Sequence, residues 1–336
     1  MLFKINKAWI IFALVLGLSN LSKSQSIQLL VSDVKCSFRG LSVVNDSIIW
    51  VSGSNGTVGK SINGGANWEW LKVKGFENTQ FRDIEAFSSA KAIIMGIDSP
   101  GVILKTQDGG LSWNIVLFDS NKGVFFDAMD FYDEKKGILV GDPIHQKFYL
   151  SRTNDGGETW QKIPEEQCPT ADSGEACFAS SGTNIKLLEN GSYIFVSGGK
   201  TSHLFSLNKN ILIPLVQGKE STGANSIAIK DSKKIMIVGG DFYKKEDNIG
   251  SIAISKNKGK SWKFPQKNIS GYRSCIEYLG NKTWIACGLN GVDITNDDGN
   301  NFNLISKQSF HVCKKAKVGK TVFFAGNNVI GKLLIP

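Results

Sequence analysis

The chain has 336 residues, 41% of them apolar and 21% charged, and a net charge of +9. That composition belongs to a folded globular protein and excludes a disordered chain, while the lack of a long heptad pattern excludes a coiled coil. The basic excess favours an acidic partner only weakly, through attraction that salt screens, and no nucleic-acid-binding module is present.

The first 24 residues read as an export signal. Lys4 and Lys7 form a positive start, Ala8 to Leu18 is an uncharged apolar run, and Ser22 and Ser24 place small residues two apart before Gln25. The run is too short to cross about 30 Å of hydrocarbon comfortably, and no cysteine sits at the cut to carry a lipid anchor. The expectation is a cleaved signal peptide over 1–24 and a secreted or periplasmic chain over 25–336 with no membrane span. Loss of Lys4, Lys7 and Lys23 lowers the net charge to +6.

Beyond Gln25 the dominant signal is internal repetition. Ser26 to Ser32 alternates Ile27, Leu29 and Val31 on one face, which predicts a strand. Then one phrase, Ser/Thr-x-Asp/Asn-x-Gly-x-x-Trp/Phe, occurs at Ser61 to Trp68, Thr106 to Trp113, Thr153 to Trp160, Ser255 to Trp262 and Thr295 to Phe302, with a decayed copy at Ser206 to Asn210. This is the Asp-box phrase, and its chemistry predicts a hairpin staple. Asn63, Asp108, Asp155, Asn257 and Asp297 accept hydrogen bonds from the backbone of their own turn. The glycine supplies the positive φ of a tight hairpin. Trp68, Trp113, Trp160, Trp262 and Phe302 then fold back as apolar plugs, each stabilising by roughly 1.5–3 kcal/mol when fully buried. The role expected of these ten residues is structural.

A second phrase counts the units. Seven short β-rich runs end in glycine, at Gly53, Gly96, Gly141, Gly198, Gly239, Gly288 and Gly326, with a mean period of about 45.5 residues. That period fits a four-stranded sheet repeated radially, so the predicted fold class is all-β, a seven-bladed β-propeller. The last repeat has little room for a fourth strand. Ser26 to Ser32 is expected to supply it and close the ring, because an open seam would expose two sheet edges. The longest departure from the period, residues 161–176, reads as an ordered insertion on one face. Of the six cysteines, Cys168 and Cys177 suggest a local disulfide; disulfide and free thiol both stay open for Cys36, Cys275, Cys287 and Cys313.

Further phrases carry a family resemblance: Gly141-Asp-Pro143, Glu175 to Gly182, Gly239 to Phe242, Gly271 to Ser274 and Gly288 to Asp293. With the hairpin phrases, they make nearly the whole mature chain similar to the photosystem II stability/assembly factor family, especially a secreted bacterial branch often labelled "oxidoreductase". The resemblance implies a chaperone-like role in which an arginine-lined surface binds a membrane-protein subunit and its assembly partners. Nothing in the residues supports redox chemistry, since the chain has no G-x-G-x-x-G turn, no haem motif and no C-x-x-C.

In a propeller the first strand of each blade lines the central channel. Aligning those strands by their aromatic or small start gives one level with Arg39, Arg82, Phe126, Ala179, Asn225, Arg273 and His311. The next level holds Gly40, Asp83, Asp127, Ser180, Ser226, Ser274 and Val312. Three arginines at one level suit a carboxylate or phosphate; alternatively they pair with Asp83 and Asp127 in a self-satisfied polar channel. The candidate ligand-binding residues are Arg39, Arg82, Asp83, Asp127, Glu175, Asp241 and Arg273. Glu175 and Asp241, like Asp142, also read as loop-capping carboxylates.

The function expected is a non-enzymatic binding or assembly scaffold. It would act as a monomer without cofactor or metal and recognise a protein or an anionic ligand such as a glycan. The alternative is a sialidase-like glycoside hydrolase, with Arg39, Arg82 and Arg273 around the substrate carboxylate, Tyr272 or Tyr278 as nucleophile and Glu175 or Glu277 as its base. Against it stand a Phe38-Arg-Gly-Leu41 phrase without the Ile-Pro usual in sialidases and a count of seven blades instead of six. His145, His203 and His311 lie in different repeats without the paired spacing of a metal motif.

Overall fold

The repeated apolar runs form antiparallel strands that pair in chain order, and each group of runs makes one sheet. The computed structural model describes residues 25–97, 99–206, 209–231 and 233–334; the export signal read over 1–24 lies outside them. Blade 1 consists of Phe38–Val43, Ile49–Gly53, Thr57–Ser61 and Glu69–Lys72. Blade 2 is Phe81–Ala86, Ala92–Gly96, Gly101–Thr106 and Asn114–Asp119, and blade 3 is Phe126–Phe131, Gly137–Ile144, Lys147–Thr153 and Gln161–Lys162. Blade 4 is Ile185–Leu187, Tyr193–Val196, His203–Ser206 and Lys209–Leu212. Blade 6 is Cys275–Gly280, Thr283–Gly288, Gly291–Thr295 and Asn303–Ser306.

Two blades depart from that order. Blade 5, Thr222–Ile229, Ile235–Asp241 and Ile252–Ser255, gains Gly198–Gly199 and Glu175–Ala176 on its inner side and keeps only an Ile254–Lys263 bridge at its outer edge. Blade 7 has Val312–Lys315, Val322–Gly326 and Val329–Leu334 from the chain's end. Ser26–Val31 is its fourth strand, with Ser26 opposite Leu334. The fold is therefore the seven-bladed all-β propeller expected, closed by its N-terminal strand.

The core lies between blades. One cluster joins Trp50 and Val58 of blade 1 to Phe81, Ile94 and Leu104 of blade 2. Another joins Phe148 and Leu150 of blade 3 to Phe195 and Phe205 of blade 4. Polar stitches run beside them at the inner strands. The N–H of Ala86 donates to Ser42 Oγ, that of Met129 to Asp83 Oδ2, that of Leu187 to Asp130 Oδ2 and that of Ile276 to Ser226 Oγ. Each stitch ties an inner strand to the blade before it.

A glycine in or just after each second strand permits close approach between strands. A Cβ on Gly141 would stand 2.3 Å from Phe125 O, and one on Gly288 2.2 Å from Tyr272 O. The five hairpin phrases adopt one hydrogen-bonding scheme. In blade 2, Thr106 Oγ1 donates to Asp108 Oδ1 at 2.8 Å, the N–H of Gly110 donates to Thr106 Oγ1 at 2.9 Å, and that of Ser112 to Asp108 Oδ1 at 2.9 Å. The same triplet recurs from Ser61, Thr153, Ser255 and Thr295. The hairpins also join blades: Lys60 Nζ of blade 1 donates to Gly109 O of blade 2, and Lys105 Nζ of blade 2 to Gly156 O of blade 3.

Two expectations are corrected here, and a third falls partly outside the described residues. The plugs are not all fully buried: Phe302 is, whereas Trp68, Trp113, Trp160 and Trp262 are half-buried because they close the rim, where one ring face meets water. Cys168 and Cys177 form no disulfide. Both are free and buried, with Cys168 Sγ toward Ile163 O and Cys177 Sγ toward Val196 O, so they pack against different strands. The decayed hairpin copy at Ser206 to Asn210 includes residues 207 and 208, outside the described residues, and Ser206 pairs directly with Lys209 across them.

Candidate functional site

A β-bulge aims one side chain per inner strand. In blades 1, 2 and 3 the register slips directly after the first paired residue, between Phe38 and Gly40, Phe81 and Asp83, and Phe126 and Ala128, and in blade 5 it slips after the third, between Ala224 and Ser226. The residues left over are Arg39, Arg82, Asp127 and Asn225, so they are structural equivalents, and a bulge re-aims its extra residue. This corrects the sequence alignment, which set Phe126 level with Arg39 and Asp127 one step on. Aligning Phe38, Phe81 and Phe126 puts Asp127 at the arginine level.

Arg273 is corrected in the same way. Gly288 stands against Tyr272 O as Gly141 does against Phe125 O, so Arg273 matches Phe126 and Ser274 takes the hub level. Arg273 is fully buried and turned into its own blade. It is ion-paired with Asp293 through Nε, at 2.8 Å, and through Nη2, while Nη1 donates to Tyr272 O at 2.8 Å. The three-arginine set expected from sequence is a pair at the hub, Arg39 and Arg82.

What faces that pair comes from the insertion, which runs further than 161–176. Residues 178–183 precede blade 4 yet touch blades 1, 2, 5 and 6, which is possible only by crossing the hub. Ser180 O accepts from Arg39 Nη1 at 3.1 Å and Ala179 O from Arg82 Nη1 at 3.3 Å. Ser180 Oγ donates to Asn225 Oδ1, Ser181 Oγ to Ser274 O and Thr183 Oγ1 to Ser226 Oγ. Gly182 lies over Asp83 with φ +63, and a Cβ there would fall 2.3 Å from the Asp83 carboxyl. The hub is thus bridged by main chain, and its two guanidinium groups are propped from within.

The electrostatics of this centre are uneven. Arg39 and Arg82 are half-buried, and burial together with the charge of Arg82 pulls the Arg39 guanidinium down to about 10. His311, at the same level, is pushed down to about 3 by burial and by Arg39, with Nδ1 3.0 Å from Phe38 O. Asp127 is fully buried; burial and the neighbouring Asp142 carboxyl push it well above the usual carboxylate range. Asp142, raised to about 6 by burial, accepts from Cys177 N–H at 2.9 Å. Neither Asp127 carboxyl oxygen has a hydrogen-bond partner among the described residues, so burial favours its neutral form.

The remaining candidates have partners elsewhere. Asp83 accepts from the N–H groups of Ile84 and Met129 at 2.8 Å and is raised by burial to about 7, which makes it an interblade stitch. Asp241 caps its own loop through the N–H of Tyr243. Glu175 is buried beside blade 4, where Ser197 Oγ and His203 Nδ1 contact its Oε1 and the N–H of Asp172 donates to Oε2. Asp172, Glu175 and His203 bring ligand atoms within 4.8 Å of one another. The hydrolase arrangement is not assembled. The Tyr272 hydroxyl donates to Asn225, Tyr278 packs on Trp284, Glu175 faces His203, and Arg273 serves Asp293. Sequence reasoning read Asp142 only as a loop cap, gave His203 no partner, and missed a cleft of about 840 Å³ between blades 3 and 4, lined by Arg152, Lys162, Tyr193, Phe205 and Lys209. No sequence spacing links these residues.

No protein-family model matches the chain. Over 150 residues, 44% of this chain, it is 26% identical to the photosystem II assembly lipoprotein Ycf48 of Synechococcus sp. (strain CC9902). The chain is homologous to Ycf48. The matched stretch spans 39% of that lipoprotein. Over nearly the whole ring the propeller superposes on a Ycf48 structure bound to D1 peptide, with a TM-score of 0.66 and 15% identity, covering 92% of this chain and 97% of that one. Ycf48 from Cyanidioschyzon merolae gives 0.65 and 16%, covering 91% and 98%, and the WD40 β-propeller domain of Doa1 gives 0.64 and 13%, covering 93% and 98%. At these identities the structural likenesses speak for the fold, while the Ycf48 relationship rests on sequence as well.

Proposed function

We propose that this Ycf48-like propeller is an extracytoplasmic, non-enzymatic assembly scaffold that holds a protein partner at the hub by an acidic group of that partner. The observation that supports it most is the Arg39–Arg82 pair. Two like charges are held side by side in a half-buried site, and each is propped by a main-chain carbonyl. A carboxylate placed between them would relieve their mutual repulsion and add charge-assisted hydrogen bonds. A Ycf48 structure exists with a D1 peptide bound, which supports a peptide as the kind of ligand. The export signal read over 1–24 supports a site outside the cytoplasm. Among the described residues no helix is long and apolar enough to cross a membrane.

Affinity capture from envelope and medium fractions, with the wild-type chain and an Arg39→Ala/Arg82→Ala variant side by side, tests the reading. The expected result is one or more proteins retained by the wild type and lost from the folded variant. An unchanged set of captured proteins would remove the hub from the proposal.

A further inference from the structure

We propose that Cys275, Cys287 and Cys313 form a binding site for one copper(I) ion at the junction of blades 6 and 7. Cys275 opens the inner strand of blade 6, Cys287 lies directly opposite it on the next strand, and Cys313 sits on the inner strand of blade 7. Their three sulfurs lie within 4.8 Å of one another, and those of Cys275 and Cys313 are 3.7 Å apart. Thiolates bound at about 2.3 Å to one metal stand about 3.8–4.0 Å apart in tetrahedral or trigonal geometry. The cluster is therefore already near the spacing of a shared ion.

The choice of ion follows from what surrounds the sulfurs. All three cysteines have zero exposure, so the site offers no water as an additional ligand. The oxygens near Cys275 Sγ are the Cys313 carbonyl at 3.3 Å and the Thr183 hydroxyl at 3.7 Å, both weak ligands for a soft ion. Structural zinc takes four strong donors, whereas a soft ion selected by thiolates, copper(I), is satisfied by three. Binding Cu⁺ releases three thiol protons and forms three Cu–S bonds; no electron is transferred. A buried cysteine usually packs as a small apolar residue. Three sulfurs drawn from three strands onto one another, where apolar carbon could have stood, exceed that need.

The experiment is anaerobic titration of the full mature chain with copper(I) against a competing chromophoric chelator. It is run on the folded protein and on protein refolded with the ion present, so that burial of the site does not decide the outcome. The expected result is one copper per chain, an all-sulfur first shell by X-ray absorption, and about 100-fold or greater weakening in each of Cys275→Ser, Cys287→Ser and Cys313→Ser. Cys36→Ser should bind as the wild type does. No stoichiometric copper by either route, copper retained when all three cysteines are replaced, or a disulfide between any two of them in the native protein would each overturn the proposal.

Discussion

Blades 1 to 3 and the segment from Ile163 to Asn184 differ in what holds them. The blades reuse one local device: a hairpin pinned by its own Ser/Thr and Asp/Asn, a lysine of blades 1 and 2 that reaches the next blade's hairpin, and a glycine in the second strand. The segment has no repeat partner and almost no regular structure of its own. It is held by contacts from Arg39, Arg82, Asn225, Ser226 and Ser274, drawn from four blades. The difference teaches that the repeat makes a frame, and that the stretch that breaks the repeat builds the hub. A defect in the frame should therefore cost global stability, and a defect in the segment should disturb the site first.

Gly141→Ala should have the largest effect. The new Cβ meets backbone, at Phe125 O, where nothing flexible can give. A cost of about 3 kcal/mol is expected by urea unfolding, and a cost under about 1 kcal/mol would show that the blades are not tightly registered. Gly182→Ala combines positive φ with a clash at Asp83. It should cost about 2 kcal/mol and, unlike Gly141→Ala, speed hydrogen exchange locally at residues 178–184. Uniform acceleration over the ring would erase the contrast between frame and segment. Asp108→Ala removes the acceptor of one hairpin turn and should cost about 1 kcal/mol. Because the hairpin is local, partner capture should be unaffected.

Two histidines sharpen the comparison through pH. Hydrogen bonding to Glu175 raises His203, so this contact stabilises below the ordinary histidine range and is lost as pH rises through the raised value. Burial lowers His311 to about 3, so the unfolded chain takes up its proton first and stability falls as pH drops from about 6.5 toward 3. Unfolding measured from about pH 7.5 to about pH 5 should show less acid loss in His311→Gln than in the wild type and more in His203→Gln. The same slope in both variants would refute these assignments. Arg39→Ala should change stability least, within about 0.5 kcal/mol, while weakening capture of the partner; a stability loss above about 2 kcal/mol would mark Arg39 as part of the frame instead.

Much of the frame was legible because its causes are local. A tight hairpin needs glycine and an acceptor at fixed offsets, so five phrases announced five hairpins. Seven glycine-ended runs announced seven blades, because close approach between strands leaves no room for a Cβ. The hub was legible only in part. Arg39, Arg82 and His311 share a level because each directly follows an aromatic residue, Phe38, Phe81 and Phe310. Asp127 and Arg273 were misplaced, because a bulge shifts which residue faces the axis without changing the composition of the strand. Glu175 was noted as a candidate, but its partner His203 was not, since 28 residues and three strands separate them.

The order of strands, the number of blades and the closing strand at Ser26–Val31 follow from the sequence, because period-2 alternation and turn chemistry act over a few residues. The partners of Arg39, the burial of Arg273 against Asp293, the crossing of the hub by residues 178–183 and the meeting of Cys275, Cys287 and Cys313 were decided only when the ring closed. Those contacts join residues up to 141 positions apart, and only a folded ring fixes which of them come within hydrogen-bonding reach.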